Sequence, residues 1–193
     1  GGFITLPRSV GGGNWESGSF DPETGVLYIT SLDSPYIEAL VPGTNPDGVA
    51  FDMMAPNYPL LVDGLPVIKP PYGSITAIDL NEGDILWQIP NADTPEDIAN
   101  HPALAGLDIG RTGRPARVGL LATATLLFSG EGVGGKPLLR AHDKATGEII
   151  AEIDLPAAQT GVPMSYSLDD EQYIVVAVAQ EGHPAELVAL KLP

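Results

Sequence analysis

The sequence predicts an all-β fold built from repeated four-stranded antiparallel sheets. A turn pattern of an Asp, three further residues and a Gly recurs at Asp21–Gly25, Asp79–Gly83 and Asp143–Gly147, and an apolar stretch follows each Gly. In such a hairpin turn the Asp side chain accepts hydrogen bonds from the next backbone amides, and the Gly takes the positive φ that the turn requires. The flanking runs alternate apolar and polar residues, and helical periodicity is nearly absent, so half-buried antiparallel strands are expected throughout.

The predicted strands fall into three consecutive groups. They cover residues 14–20, 26–31, 74–80 and 84–90; residues 118–122, 126–130, 137–142 and 148–155; and residues 163–168, 172–179 and 186–192. Four-stranded antiparallel sheets repeated along a chain are typical of the blades of a β-propeller, with a β-sandwich as the alternative. This grouping predicts a blade over 12–90, a blade over 117–156 and an incomplete blade over 162–193.

The third group is one strand short of a complete blade. An unpaired edge strand invites aggregation unless another segment covers it, and a propeller needs about four to eight blades to close its ring. We therefore expect a partner for this region, namely the N-terminal remainder of the propeller, in the same chain or in a separate one.

Two long segments of the chain lie between the predicted strands. Residues 32–71 hold eight prolines and are predicted to be a long loop. Because a structureless connection of that length is uncommon, this loop should be functional or pinned by its neighbours. Residues 94–104 are predicted to form a short helix or turn, with Thr94 as its capping residue and Pro95 in the first turn.

Composition limits the classes of function. The 193 residues include 25 acidic and 9 basic side chains, which gives a formal net charge of -16. A surface this negative repels nucleic-acid backbones and anionic lipid. There is no cysteine, so disulfides, thiolate chemistry and Cys-based zinc sites are excluded. No apolar stretch approaches the ~20 residues that a membrane-spanning helix requires.

One of the turn repeats resembles a known family motif. Ala77, Asp79, Gly83 and Trp87 match the pattern Ala-x-Asp-x-x-x-Gly-x-x-x-Trp, which is the tryptophan-docking repeat of PQQ-dependent (quinoprotein) dehydrogenases of the glucose/alcohol dehydrogenase-like group. A second copy at residues 141–151 keeps the Ala, Asp and Gly but has Ala151 in the place of the Trp. Residues 11–28, 70–80, 161–166 and 172–177 resemble the C-terminal part of the same family, so the resemblance covers nearly the whole chain.

The resemblance implies the C-terminal sector of an eight-bladed β-propeller, with each docking Trp packed between neighbouring blades. It implies a periplasmic oxidoreductase that transfers hydride from an alcohol or sugar to PQQ, which is bound beside a calcium ion, and then passes electrons to an acceptor. The family's Asp base and calcium ligands precede the region that this chain matches. We therefore expect no catalytic residue and no metal ligand here, and a contribution of cofactor contacts and ring closure. The alternative is a non-catalytic propeller module for binding or assembly that has lost the redox site.

Three residues are the candidate cofactor contacts. Asn14 and Trp15 follow a Gly-rich approach that lets the backbone come close to a planar anion, and both side chains offer N–H donors. The alternative for this pair is a glycine turn with a core Trp. Arg117 can bind a PQQ carboxylate in a fork, with a surface ion pair as the alternative, and Arg111 and Arg114 have a weaker claim.

The three histidines of the sequence are His101, His142 and His183. They are far apart and lack the spacing of metal ligands, so solvated or structural roles are expected for them.

Overall fold

The computed structural model describes residues 2–8, 11–14, 18–44 and 47–191, and it is almost entirely β-structure. Three antiparallel sheets follow one another along the chain. The strands of sheet I are β2 (Gly18–Asp21), β3 (Val26–Leu32), β8 (Gly73–Asp79) and β9 (Asp84–Pro90); those of sheet II are β10 (Leu120–Ala122), β11 (Leu126–Gly130), β12 (Leu138–Asp143) and β13 (Ile149–Asp154); and those of sheet III are β14 (Met164–Leu168), β15 (Glu171–Gln180) and β16 (His183–Lys191). The predicted all-β fold and the predicted strand groups are confirmed, including the three-stranded last sheet within the described residues.

The turn repeat forms the predicted hairpins. In each turn an Asp carboxylate oxygen accepts a hydrogen bond from the backbone N–H two residues later, and the distances are 3.0 Å at Asp21, 2.8 Å at Asp79 and 2.8 Å at Asp143. The Gly that ends each turn has a positive φ, between 75° and 82°. Asp therefore starts the turn and Gly completes it, as the sequence predicts.

Sheets I and II repeat the same register. Ala77 pairs with Trp87 across β8 and β9, and Ala141 pairs with Ala151 across β12 and β13. A bulge follows directly after Ala77 and after Ala141. The Trp position of the first repeat is thus structurally equivalent to Ala151 in the second.

Each pair of neighbouring sheets encloses a core of its own. Between sheets I and II the buried apolar side chains are Val26, Tyr28, Ile75, Ala77, Leu120 and Leu127. Between sheets II and III they are Phe128, Leu139, Ala141, Leu155, Ala157, Val176 and Val178. Side chains of adjacent strand residues point to opposite faces, so sheet II contributes one face to each core.

Trp87 contacts the turn of the next sheet. Its indole N–H donates a hydrogen bond to the Lys144 carbonyl oxygen at 3.0 Å, and its ring lies 5.8 Å from the Tyr28 ring, centroid to centroid. A Cβ atom on Gly147 would come within 3.0 Å of the Trp87 ring. The ring therefore packs against the Asp143–Gly147 turn, where only a glycine fits without displacement.

Residues 32–71 differ from the loop that the prolines predict. They contain β4 (Tyr36–Pro42), β5 (Phe51–Pro59) and the hairpin of β6 (Leu61–Val62) and β7 (Leu65–Pro66), and β4 lies between β5 and β1 (Phe3–Thr5). Several prolines stand at the last position of a strand, and Pro56 lies in β5, an edge strand of its sheet. Proline is tolerated at such positions because its missing N–H breaks no ladder. The excursion is thus a small sheet and a hairpin.

The predicted helix or turn is present, but its cap differs. The helix α1 spans Glu96–Ala99, and a 3-10 turn follows at Pro102–Leu104. Pro95, whose side chain has no polar atom, occupies the N-cap position. The Thr94 hydroxyl donates to the Gly110 carbonyl at 3.1 Å and does not cap the helix. The prediction that Thr94 caps the helix was wrong. In the described ranges, no helix has the length and apolar character needed to cross a membrane.

Candidate functional site

A small cleft lies where sheets I and II meet, beside the entries to their first strands. Asn14 precedes β2, Arg117 precedes β10, and both line this cleft. Its other lining residues are Gly12, Thr30, Ser31, Leu32 and Ala116. The structure thus brings together two of the three predicted cofactor contacts, although 103 residues separate them in the chain. Trp15 lies outside the described residues, so its predicted role stays a prediction.

Backbone contacts define the walls of the cleft. The Leu32 N–H donates to the Gly12 carbonyl at 2.9 Å, and Gly11 has a φ of 81°, so the Gly-rich segment turns and then follows the end of β3. On the opposite side, the buried Thr30 hydroxyl donates to the Val118 carbonyl at 2.9 Å. This bond joins the end of β3 to the segment that carries Arg117.

The cleft offers donors suited to a carboxylate. Asn14 is half-buried and carries an amide N–H₂, whereas Arg117 is exposed and carries a guanidinium group. Both groups bind carboxylate oxygens well, and the guanidinium can do so in a fork. The cleft is too small to enclose a tricyclic cofactor, so the donor set fits one edge of PQQ and not its plane. Among the described residues there is no group of three His, Asp or Glu side chains that could hold a metal ion.

Neither Arg111 nor Arg114 lines the cleft with Arg117. The Arg111 guanidinium donates to the Ala92 carbonyl at 3.0 Å and lies 3.4 Å from an Asp93 carboxylate oxygen. The Arg114 guanidinium is directed to the Val133 carbonyl at 3.5 Å. Their weaker claim to the cofactor receives no support from this geometry.

The three histidines have separate surroundings. His142 is buried and contacts the Ser129 hydroxyl and the Gly147 carbonyl, both at 3.0 Å. His183 forms an exposed pair with Glu186 at 2.8 Å, and His101 lies 2.7 Å from the Asp63 carbonyl. Each side chain therefore has a local structural partner.

A buried charge cluster, which sequence reasoning missed, fixes the connector between sheets I and II. Arg140 on β12 is 2% exposed, and its guanidinium contacts carboxylate oxygens of Glu131 at 2.5 Å, Glu152 at 2.7 Å and Asp93 at 3.1 Å. Lys136 adds a second cation, 2.6 Å from Asp93. Asp93 begins the connector that ends at Arg117, so the cluster ties that connector to sheet II. An Arg beside apolar residues of a predicted strand was the available signal, because a buried charge requires partners.

The charges of the cluster stabilise one another. Burial alone lowers the pKa of Arg140, but hydrogen bonds to Glu131 and Glu152 outweigh it and leave the pKa raised. Burial likewise raises the pKa of Asp93, yet the Lys136 hydrogen bond and the charges of Arg140, Lys136 and Arg111 hold that pKa below its usual value. Both side chains are therefore charged at neutral pH, and ionic contacts hold the connector to sheet II.

Comparison with known proteins identifies the family. The family model described as "PQQ: Glucose/ethanol/alcohol dehydrogenase, beta-propeller domain" matches residues 1–174. This chain belongs to the PQQ-dependent dehydrogenase family. The glycerol dehydrogenase large subunit of Gluconobacter thailandicus is 29% identical over 94% of the chain, and the quinoprotein glucose dehydrogenase of Escherichia coli strain K12 is 25% identical over 94%.

A solved structure supports the same fold. The quinohemoprotein alcohol dehydrogenase of Comamonas testosteroni superposes on 99% of this chain with a TM-score of 0.65, at 22% sequence identity. The chain covers 28% of that protein, 27% of the Gluconobacter protein and 25% of the Escherichia protein. It therefore spans about a quarter of the length of the proteins that it matches.

Proposed function

We propose that this chain is a sector of a dehydrogenase that oxidises an alcohol or sugar with PQQ, and that it contributes cofactor contacts and propeller closure. The convergence of Asn14 and Arg117 on one cleft carries the proposal, because family membership alone does not say what this quarter of the protein does. Bound PQQ supplies a quinone that accepts hydride from the substrate. In this proposal Arg117 binds a PQQ carboxylate from the rim, and Asn14 donates to an oxygen of the same edge.

The proposal extends to the surroundings of this sector. The Trp87 contact with the turn of sheet II serves as the docking contact between two blades. The remaining three quarters of the protein supply the other blades, the Asp base and the calcium ligands, in the periplasm. The third sheet has three strands among the described residues, and this supports the arrangement because a ring requires further blades to cover the edge of that sheet.

The test of cofactor contact uses the full-length protein loaded with calcium. Arg117→Ala is expected to weaken PQQ binding about tenfold or more, because a charge-assisted hydrogen bond contributes ~1.5–3 kcal/mol. Arg117→Lys should recover part of the affinity but not the fork geometry. Binding is measured by fluorescence titration, and turnover by dye reduction with a panel of alcohols and sugars.

Lys191→Ala provides the control, because it removes a cation from a surface pair with Glu171 on sheet III, away from the cleft. Equal PQQ affinities for the wild type, Arg117→Ala and Lys191→Ala would show that Arg117 does not contact the cofactor. If the intact protein binds no PQQ and oxidises no member of the panel, the alternative of a non-catalytic propeller module is supported instead.

A further inference from the structure

The segment that carries Arg117 is held by side chains from two distant parts of the chain. Residues 116–119 lead into β10, and Val118 within them is only 1% exposed. The Thr30 hydroxyl, at the end of β3, donates to the Val118 carbonyl at 2.9 Å. The buried Gln159 amide donates to the Gly119 carbonyl at 2.8 Å. The backbone that directly follows Arg117 is therefore fixed by two side-chain hydrogen bonds.

A glycine packs closely against the same segment. A Cβ atom on Gly132, in the loop after β11, would come within 2.6 Å of the Arg117 carbonyl oxygen and within 3.2 Å of the Ala116 Cβ. Gly132 also has a φ of 75°, which favours glycine for a second reason. The loop after β11 therefore approaches Arg117 more closely than a residue with a side chain allows, and the Arg117 backbone has little room to shift.

The geometry of Thr30 suits it to hold this segment. Thr30 lines the cleft together with Arg117, yet it is only 2% exposed. Its hydroxyl has one hydrogen, and the Val118 carbonyl accepts it, so the hydroxyl has none left to donate to a cofactor oxygen. The branched side chain of a Thr is also stiff about χ1, so the bond has a defined direction.

We propose that Thr30 is a positioning residue for the cofactor. By fixing the Val118 carbonyl, it holds the backbone of Arg117 so that the guanidinium meets a PQQ carboxylate with little further loss of conformational freedom. A side chain on a backbone that is already ordered binds more tightly than the same side chain on a mobile one. The inference rests on the proposed function, because it assumes that Arg117 binds PQQ.

The experiment is a double-mutant cycle in the full-length protein loaded with calcium. PQQ dissociation constants are measured by fluorescence titration for the wild type, Thr30→Val, Arg117→Ala and the double variant. Thr30→Val keeps the shape of the side chain and removes the hydroxyl, so it should weaken PQQ binding about fivefold. In the Arg117→Ala background the same change should alter the affinity by less than about twofold, because no guanidinium is left to position.

Two variants separate positioning from stability. Thr30→Ser keeps the hydroxyl and should bind PQQ within about twofold of the wild type. Thr76→Val is the matched control, because Thr76 is buried in the same sheet, its hydroxyl accepts from the Gln88 amide at 2.9 Å, and it does not line the cleft. Urea unfolding should show similar losses of stability for Thr76→Val and Thr30→Val, whereas Thr76→Val should keep the PQQ affinity of the wild type.

A second pair of variants moves the segment without changing Thr30. The methyl group of Gly132→Ala displaces the Arg117 backbone, so PQQ affinity should fall about tenfold. Gly182→Ala is its control, because Gly182 also has a positive φ, of 79°, but an added Cβ there has no atom within 4 Å. This control adds the same backbone strain without a displacement at Arg117. Equal PQQ affinities for the two alanine variants would contradict a fixed backbone at Arg117.

The inference is overturned alone if Arg117→Ala weakens PQQ binding but Thr30→Val does not, and the proposed function then stands. It is also overturned if Thr30→Val weakens binding equally with and without Arg117, or if Thr30→Ser binds PQQ no better than Thr30→Val. Wild-type affinity in Arg117→Ala would refute the proposed cofactor contact itself, and the positioning role of Thr30 with it.

Discussion

The two faces of sheet II form two different junctions. The face toward sheet I carries Arg140, His142 and Ser129 beside Leu120 and Leu127, and the face toward sheet III carries only apolar side chains in its buried part, such as Phe128, Leu139 and Ala141. Both faces belong to the same strands, so strand alternation alone sorts polar from apolar residues. The difference shows that one blade fold can join its neighbours in two ways.

Lys144 lies at one rim of the junction between sheets I and II, which we call the polar junction. Its ammonium group contacts Asp21 at 2.5 Å and the Thr123 carbonyl at 3.0 Å, and its own carbonyl oxygen accepts from Trp87 and Tyr28. This one residue therefore joins two turns and two aromatic rings. The charge cluster around Arg140 provides the second set of ionic contacts in this junction.

In the junction between sheets II and III, which we call the apolar junction, a side-chain amide joins three backbone segments. The buried Gln159 side chain accepts from the Gly130 N–H at 2.6 Å and donates to the carbonyls of Gly119 at 2.8 Å and Gly161 at 2.7 Å. At the position equivalent to Trp87, this junction has the exposed Ala151. Neutral hydrogen bonds and apolar burial here replace the ion pairs and the docked indole ring.

Breaking the charge cluster should give the largest effect. Arg140→Met removes the cation and leaves the buried carboxylate of Glu131 without its ion-pair partner. A loss of about 3–5 kcal/mol in the free energy of unfolding is therefore expected. Urea unfolding of the full-length protein measures it. Lys136→Met is the control, because its exposed pair with Asp93 should contribute less than about 1 kcal/mol. Equal losses for both variants would contradict the assignment of Arg140 as the centre of the cluster.

The apolar junction is tested at its amide. Gln159→Leu keeps a similar volume but leaves one buried N–H and two carbonyls without their partner, which should cost about 2–4 kcal/mol. Gln172→Leu serves as the matched control, because that side chain is exposed and donates to the Ser165 hydroxyl at 2.8 Å. If Gln159→Leu lowers the free energy of unfolding less than Gln172→Leu does, the apolar contacts hold this junction without the amide.

The docked indole ring is the third test. Trp87→Ala should reduce the free energy of unfolding by about 2–3 kcal/mol, below the ~3–5 kcal/mol of a fully buried Trp because the ring is only half-buried. Trp87→Phe should recover most of the loss, except for about 1 kcal/mol from the missing bond to Lys144.

The equivalent position in sheet II sharpens this test. Ala151→Trp places an indole at the same register on an exposed site without a turn to receive it among the described residues, so the change should stay within about 0.5 kcal/mol. A clear gain in stability from Ala151→Trp would show that the second junction retains an unfilled docking site.

The sequence was sufficient to predict the strands of the three sheets, but it was not sufficient to predict the contacts between distant segments. The Asp-to-Gly turns and the alternating strands are local signals, and they predicted the hairpins of sheets I to III. The pairing of β4 with β1 and the bond between Thr30 and Val118 depend on segments far apart in the chain, and the prolines of residues 32–71 concealed the strands there. Asn14 and Arg117 were each predicted as a cofactor contact with the help of a family resemblance. Their shared cleft was not predicted, because no local pattern joins two residues beside different sheets.

The smallest expected effect is a pH dependence confined to the polar junction. Burial lowers the pKa of His142 below its ordinary value of 6.5, and the nearby charges of Arg111 and Arg140 lower it further, while the bond to the Gly147 carbonyl opposes the shift. That bond requires a hydrogen on Nδ1, so Nε2 of the neutral ring accepts from the Ser129 hydroxyl. The folded protein therefore binds this proton less readily than the unfolded chain does.

Stability contributed by the neutral ring is complete above pH 6.5 and decreases as the pH falls below it, because the unfolded state then gains a proton that the folded state resists. Urea unfolding between pH 7.5 and pH 5 measures the slope. His142→Asn keeps an amide donor and has no proton to gain, so it should flatten the slope over this range while the lowered pKa of Asp93 acts only at more acidic pH. The same slope in both proteins would show that the polar junction is already adapted to a protonated ring, and the contrast between the two faces of sheet II would then rest on Arg140 alone.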